Sequence, residues 1–155
     1  VKGSLLDVGC HDGSFLRLFP ELRVRGVDTK LPYTGPHLTE SSLCDFEVQT
    51  SFATISALAT YEHFSSKERE GFWRLIERSL GAGGQLVMTI PHPWVDGIIS
   101  LGKKLRLLDG MDDENHQAVR LSEVISQARA QGLGLKYLEH FQLGLNRLLV
   151  FERVR

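Results

Sequence analysis

An apolar run that ends in an acid and then breaks into a two-glycine loop constrains this chain more than any other feature. The stretch reads Leu5-Leu6-Asp7-Val8-Gly9-Cys10-His11-Asp12-Gly13-Ser14-Phe15. Ser4 to Val8 is a short apolar run stopped by Gly9, the pattern of a buried parallel strand. Gly13 to Phe19 carries Phe15, Leu16, Leu18 and Phe19 at near-helical spacing until Pro20 forbids continuation. Val24 to Val27, stopped by Asp28, reads as a second strand. A strand, a helix and a strand in that order form the repeating unit of parallel α/β sheets.

The loop itself limits the ligand. Gly9 and Gly13 remove side chains where backbone can approach a ligand, and the predicted helix N-terminus offers unpaired N–H groups beside them. A dinucleotide site would want G-x-G-x-x-G, with its pyrophosphate on that terminus. Position 11 is His instead, and Asp7 stands two residues before the first glycine. A carboxylate there favours a ligand carrying ammonium or sulfonium charge over one carrying phosphates.

The alternation continues downstream. A third strand is expected near Leu43 and a fourth from Phe52 to Leu58. Ser65 and Glu68 can form a capping box ahead of a helix whose Phe72, Leu75, Ile76 and Leu80 share one face, with Gly81 as its cap. Gln85 to Ile90 reads as a fifth strand stopped by Pro91 and Pro93, and a second long helix is expected from about Ser122 to Gln131. Leu133 to Phe141 and Leu148 to Val154, joined near Gly144-Leu145-Asn146, read as a closing hairpin that introduces an antiparallel edge strand. Right-handed crossovers then make the whole a doubly wound sheet, whose ligands bind outside the carboxyl ends of the strands.

A chain of 155 residues fits one domain over 1–155, since single cores commonly span about 100 to 200 residues. It begins at Val1 with a strand-like run three residues on, so an upstream extension carrying N-terminal helices is expected. A net charge of -1 gives no footprint for nucleic acid, and Lys103, Lys104 and Arg106 are too few to line a groove. No apolar run approaches the roughly 20 residues that span a bilayer, and no secretion signal is visible. Cytoplasmic location without a membrane partner is the expectation. Cys10 and Cys44 lack the paired spacing of a zinc site and read as reduced thiols, so no metal is expected.

Taken together, these segments resemble the class I S-adenosylmethionine-dependent methyltransferases, particularly the small type 11 and type 23 groups. Asp7, Gly9 and Gly13 match a first motif of the form D-x-G-x-G-x-G, with His11 replacing the middle glycine. Asp28 matches an acid that ends the second strand, and a carboxylate with two acceptor oxygens suits a ribose diol. Cys44-Asp45-Phe46 resembles the segment that contacts adenine, with Asp45 the candidate for its exocyclic amine. Phe52-Ala53-Thr54-Ile55 through Tyr61-Glu62-His63-Phe64 resembles the fourth strand and its L-E-H-like ending, with Ala53 where the family usually has Asp. Leu80-Gly81-Ala82-Gly83-Gly84-Gln85-Leu86 resembles L-x-P-G-G-x-L, and His116 ahead of the second long helix fits the family order. Thr29 to Ser42, with Pro32, Gly35 and Pro36, departs from it, because the family has a full helix there.

The resemblance implies a mostly parallel seven-stranded sheet of Rossmann-like type that binds S-adenosylmethionine and methylates a small molecule. The cofactor contacts it implies are Asp7, Gly9, Cys10, His11, Gly13, Asp28, Thr29, Cys44, Asp45 and Ala59. Cys10 is expected to act through its backbone, and an exposed loop histidine without function is the alternative for His11. Asp45 is weighed against a simple turn cap. Tyr61 and His63 follow the fourth strand beside the expected methyl group, with packing as the alternative. His92 is a candidate base and Trp94 a candidate substrate wall, against a rigid Pro91-His92-Pro93 turn. The apolar residues from Val95 to Met111 suggest a lid, peripheral core or a dimer face. Two rival functions remain: a dinucleotide-dependent oxidoreductase, and a methyltransferase-like module that binds or assembles without catalysis.

Overall fold

The computed structural model of the protein describes residues 3–92 and 119–154. Trp94, the apolar 95–111 segment, Lys103, Lys104, Arg106 and His116 lie outside them. The described elements are β1 (Ser4–Val8), β2 (Arg23–Asp28), β3 (Leu38–Glu40), β4 (Phe52–Ala57), α1 (Ser66–Ser79), β5 (Leu80–Pro91), α2 (Leu121–Ala130), β6 (Leu133–Phe141) and β7 (Asn146–Arg153). They form one α/β sheet of seven strands in the order β3-β2-β1-β4-β5-β7-β6. All neighbours from β3 to β5 pair parallel, while β7 runs antiparallel to both β5 and β6. The antiparallel strand expected of the closing hairpin is therefore β7, one place in from the edge, and β6 is the edge itself.

Chain order spreads from β1 through β2 to β3 in one direction and from β4 to β5 in the other, so the strand order reverses between β1 and β4. All five residues of β1 are buried, as an apolar parallel strand at the centre of such a sheet requires. Leu6, Val8 and Val27 join Ile55, Ala57, Leu86 and Met88 in one core. The helix α1 buries Phe72, Leu75 and Ile76 in that core, and α2 buries Val124 and Ala128, the faces expected from their spacing. The capping box forms: the Glu68 N–H donates to Ser65 Oγ at 3.3 Å, and the Ser65 N–H donates to Glu68 Oε2 at 2.9 Å.

Three expectations are corrected. The helix from Gly13 to Phe19 is only a 3-10 turn at Leu16–Leu18. Gly13 holds φ +68°, in the left-handed region, so no helix runs from it, and Pro20 leaves no room to lengthen the turn. The third strand lies at Leu38–Glu40, not at Leu43, which sits buried in the turn that follows. Gly81 does not cap α1: the chain turns at Leu80 directly into β5. The step from Phe52↔Leu80 to Thr54↔Gln85 then loops out extra residues around Gly83, whose φ is +66°. The helix missing between β2 and β3 is indeed absent: among the described residues, 29–37 form a loop held by its own contacts. Tyr33 is bonded to the Asp12 carbonyl and accepts from Arg17 at 2.7 Å, and the Leu31 N–H donates to Glu40 Oε2 at 2.9 Å.

Candidate functional site

The end of β1 builds one wall of a cleft at the point where the strand order reverses. After Val8 the chain turns at Gly9 (φ +75°), whose N–H donates to the Val27 carbonyl at 2.8 Å. The Cys10 N–H reaches the same carbonyl at 3.3 Å. The His11 N–H donates to Asp28 Oδ2 at 2.8 Å, and the Lys30 N–H donates to Asp28 Oδ1 at 3.2 Å. One carboxylate thus ties the turn after β1 to the turn after β2, using one acceptor position on each oxygen. An ionised carboxylate has about four such positions, so two remain for a ligand.

His11 holds φ +45°, the left-handed region that suits a glycine. The turn expected of the middle glycine is therefore made by a histidine, one of the few other residue types enriched there. The opposite wall follows β4, where Ala59 holds φ +49° and its N–H donates to Thr89 Oγ1 on β5 at 2.7 Å. Two strained non-glycine residues thus face one another across a single cleft, a place where backbone strain commonly marks function. A short 3-10 turn, Tyr61–His63, fixes this wall onto α1 through aromatic packing. Tyr61 makes edge contacts with Phe64, Phe72 and Trp73 at ring separations of 5.8, 5.4 and 6.0 Å.

The cleft between these walls has a volume of about 370 Å³. Of the residues singled out from the sequence, Gly9, His11, Asp28, Thr29, Ala59 and His63 line it. Val27, Leu43 and Phe64 supply an apolar surface, and Thr60 and Glu68 further polar atoms. Thr60 carried no sequence signal and Leu43 was read only as part of a third strand; Glu68 was legible only as a capping residue. Among the described residues the lining holds two carboxylates, Asp28 and Glu68, and no lysine or arginine. A second cleft of equal volume runs along β2 beside Leu16, Phe19, Val24, Tyr33 and Leu38. It is the more apolar of the two, but it lies along a sheet edge and not at the strand tips where open α/β sheets take their ligands.

Other singled-out residues fall elsewhere. Asp7 is 5% exposed and sits beneath the cleft, accepting from Ser56 Oγ at 2.7 Å. Burial, offset by that hydrogen bond and reinforced by the charge of Asp28, pushes its carboxyl up to about 6. Cys10 is buried, and burial with the charges of Asp7 and Asp28 pushes its thiol up to about 12, so the thiol is inert. Gly13 (φ +68°) abuts Leu38 and lines the other cleft. Cys44 packs on α1, its Sγ 3.9 Å from the Lys67 carbonyl, and Asp45 accepts from Ser42 Oγ at 2.6 Å in a local turn; neither lines the cleft. Tyr61 is 2% exposed, its hydroxyl taken by Trp73 Nε1 at 3.0 Å, which is the packing role. His92 lies further along β5, its N–H on the Leu145 carbonyl at 2.7 Å. The N–H groups expected at a helix N-terminus are instead spent inside the loop, because no helix follows. Among the described residues no cluster of His, Cys, Asp or Glu is arranged to hold a metal, and no helix is long and apolar enough to cross a membrane.

No family model and no curated protein sequence matches the chain. Solved structures do. The chain is similar to a protein of Pyrococcus horikoshii OT3 with a TM-score of 0.75 at 14% identity, covering 99% of this chain and 84% of that one. It is similar to an S-adenosylmethionine-dependent methyltransferase of Clostridium acetobutylicum with a TM-score of 0.72 at 11% identity, covering 98% and 84%. Magnesium protoporphyrin IX methyltransferase of Synechocystis, solved with S-adenosylhomocysteine bound, aligns with a TM-score of 0.66 at 15% identity, covering 97% and 73%. These likenesses define the class: the chain has the doubly wound class I methyltransferase fold.

Two predictions follow from the loop. A Cβ on Gly9 would lie 2.3 Å from Thr60 Cγ2, whereas one on Gly83, also at positive φ, meets nothing within 4 Å. Gly83→Ala is expected to cost roughly 1 to 2 kcal/mol for backbone strain alone. Gly9→Ala adds roughly 1 to 3 kcal/mol of overpacking to that; equal urea midpoints for the two variants would contradict the close approach. Because Asp7 holds its proton more tightly folded than unfolded, its contribution to stability is full below about pH 4 and is lost as pH rises toward about 6. Asp7→Asn should flatten that decline in a series of denaturation curves, and an unchanged slope would place the titration elsewhere.

Proposed function

We propose that this domain binds S-adenosylmethionine in the cleft at the β1–β4 switch and transfers its methyl group to an oxygen, nitrogen or carbon nucleophile of a small molecule by in-line displacement. The observation that carries the reading is Asp28: a carboxylate fixed by two backbone N–H groups, with acceptor positions left over, in a cleft whose described lining adds a second acid, Glu68, and no lysine or arginine. A vicinal diol would satisfy those positions, and a cationic ligand suits the charge. The pyrophosphate of a dinucleotide would meet those two carboxylates, which disfavours the oxidoreductase. The fold shared with the Clostridium and Synechocystis enzymes supports the same choice.

The cofactor, when bound, supplies an activated methyl on a positively charged sulfur. Asp28 would hold the ribose, the Gly9–His11 turn would flank the methionine portion, and Val27, Leu43 and Phe64 would keep water from the base. His63 is the titratable side chain at the rim on the β4 side and the best-placed acceptor for a proton from an acceptor hydroxyl. With Tyr61 buried in the core, chemistry rests chiefly on alignment, which supplies about 7 to 11 kcal/mol when two reactants are held in register. Calorimetry with S-adenosylhomocysteine tests the site. Asp28→Ala should weaken binding at least about tenfold, as loss of charge-assisted hydrogen bonds requires, and NADH should give no heat. Unchanged affinity in the variant would remove the ribose assignment; tight binding without turnover on a panel of acceptors would support the non-catalytic module.

A further inference from the structure

Arg147, the second residue of β7, is 8% exposed, and its Nε has no hydrogen-bond partner among the described residues. None of the ion pairs among those residues includes it. A guanidinium buried without a counter-charge is costly and calls for an explanation. Register places it directly opposite His140 on β6 and Ile90 on β5, and directly opposed residues share a face of the sheet. His92 extends the same ladder past β5, and its ring centroid lies 6.2 Å from that of His140. Burial, then the charges of Arg147 and His140, hold His92 below the usual imidazole range. Near neutral pH His92 is therefore an uncharged donor beside a permanent cation.

The cluster is close to the cofactor cleft. Thr89, whose hydroxyl accepts from Ala59 on the cleft wall, is one residue before Ile90, the partner of Arg147, so the two contacts lie at the same end of β5 on opposite faces of the sheet. With strands about 4.8 Å apart, β7 lies roughly 10 Å from β4 across the sheet. One small molecule can span that distance.

We propose that Arg147, His92 and His140 form an oxyanion subsite that binds a carboxylate or phosphate group of the methyl acceptor. This assignment rests on the methyl-transfer reading, and it makes His92 a binding residue in place of the base expected from the sequence. Arginine suits the task because its planar fork matches both oxyanions, while the imidazole rings add N–H donors.

The test follows the His92 and His140 imidazole signals of the full chain by NMR while inorganic phosphate or acetate is added, with S-adenosylhomocysteine titrated separately. Saturable shifts of both rings are expected. The tighter of the two anions identifies whether the acceptor carries phosphate or carboxylate. Arg147→Gln should weaken anion binding about tenfold, Arg147→Lys should recover part of the loss, and S-adenosylhomocysteine affinity should stay within about twofold of wild type. Because Arg147 is buried, His140→Gln on the exposed edge strand serves as a second variant and should weaken anion binding severalfold with the fold intact. Absence of saturable shifts, or equal anion affinity in folded Arg147→Gln and His140→Gln, overturns the subsite. If anions bind as expected while S-adenosylhomocysteine does not, the oxyanion site stands and the methyl-transfer reading falls.

Discussion

The site hangs on one hydrogen-bonded carboxylate. Asp28 takes the His11 N–H on one oxygen and the Lys30 N–H on the other, and so joins the turns that follow β1 and β2. Without it the His11 backbone, held at positive φ, would have no partner to offset its strain. The central strand supplies the platform: β1 is buried along its length and paired on both sides, so its last residue has little freedom. The order in which strands are added to either side of it leaves the cleft where the two halves part.

The facing wall is set by packing. Tyr61, Phe64, Phe72 and Trp73 interlock the turn after β4 with α1, whose entry is closed by the Ser65–Glu68 box. That cluster places Ala59, Thr60 and His63 along the cleft and reaches it itself through Phe64. Charge completes the description, because acids line the cleft while Arg147, buried and outside every ion pair among the described residues, lies two strands away. A molecule with a cationic portion and another with an oxyanion would be sorted to opposite ends of the same sheet edge.

Much of this was legible in the residues. The alternation of apolar runs with capped amphipathic stretches shows the parallel sheet and both long helices, because buried strands and 3.6-residue faces leave direct patterns. Asp28, Gly9, His11, Thr29, Ala59 and His63 were among the residues that the family resemblance pointed to, and they line one cleft. What failed had physical causes. The Gly13–Phe19 helix lost to the left-handed turn at Gly13, which spacing does not reveal. Tyr61 was read as a candidate beside the methyl group with packing as the alternative, and the aromatic partners that bury it come from a helix about ten residues on. Asp45 matched a motif yet turned to Ser42, since a short acid finds the nearest hydroxyl. The departure of β3 from Leu43 followed from the missing helix, which left no pattern to fix where pairing resumes. Arg147 carried no signal at all, because only the cross-strand register shows what a guanidinium faces.

The central claim is that the Asp28-bridged cleft is the cofactor site, and the backbone amides that frame it can report on that directly. In a 15N-resolved titration with S-adenosylhomocysteine, the account predicts the largest shifts at His11, Thr29, Lys30 and Ala59. Shifts concentrated instead at Phe19, Val24 and Tyr33 along the apolar cleft beside β2, or none at saturating ligand, would contradict it.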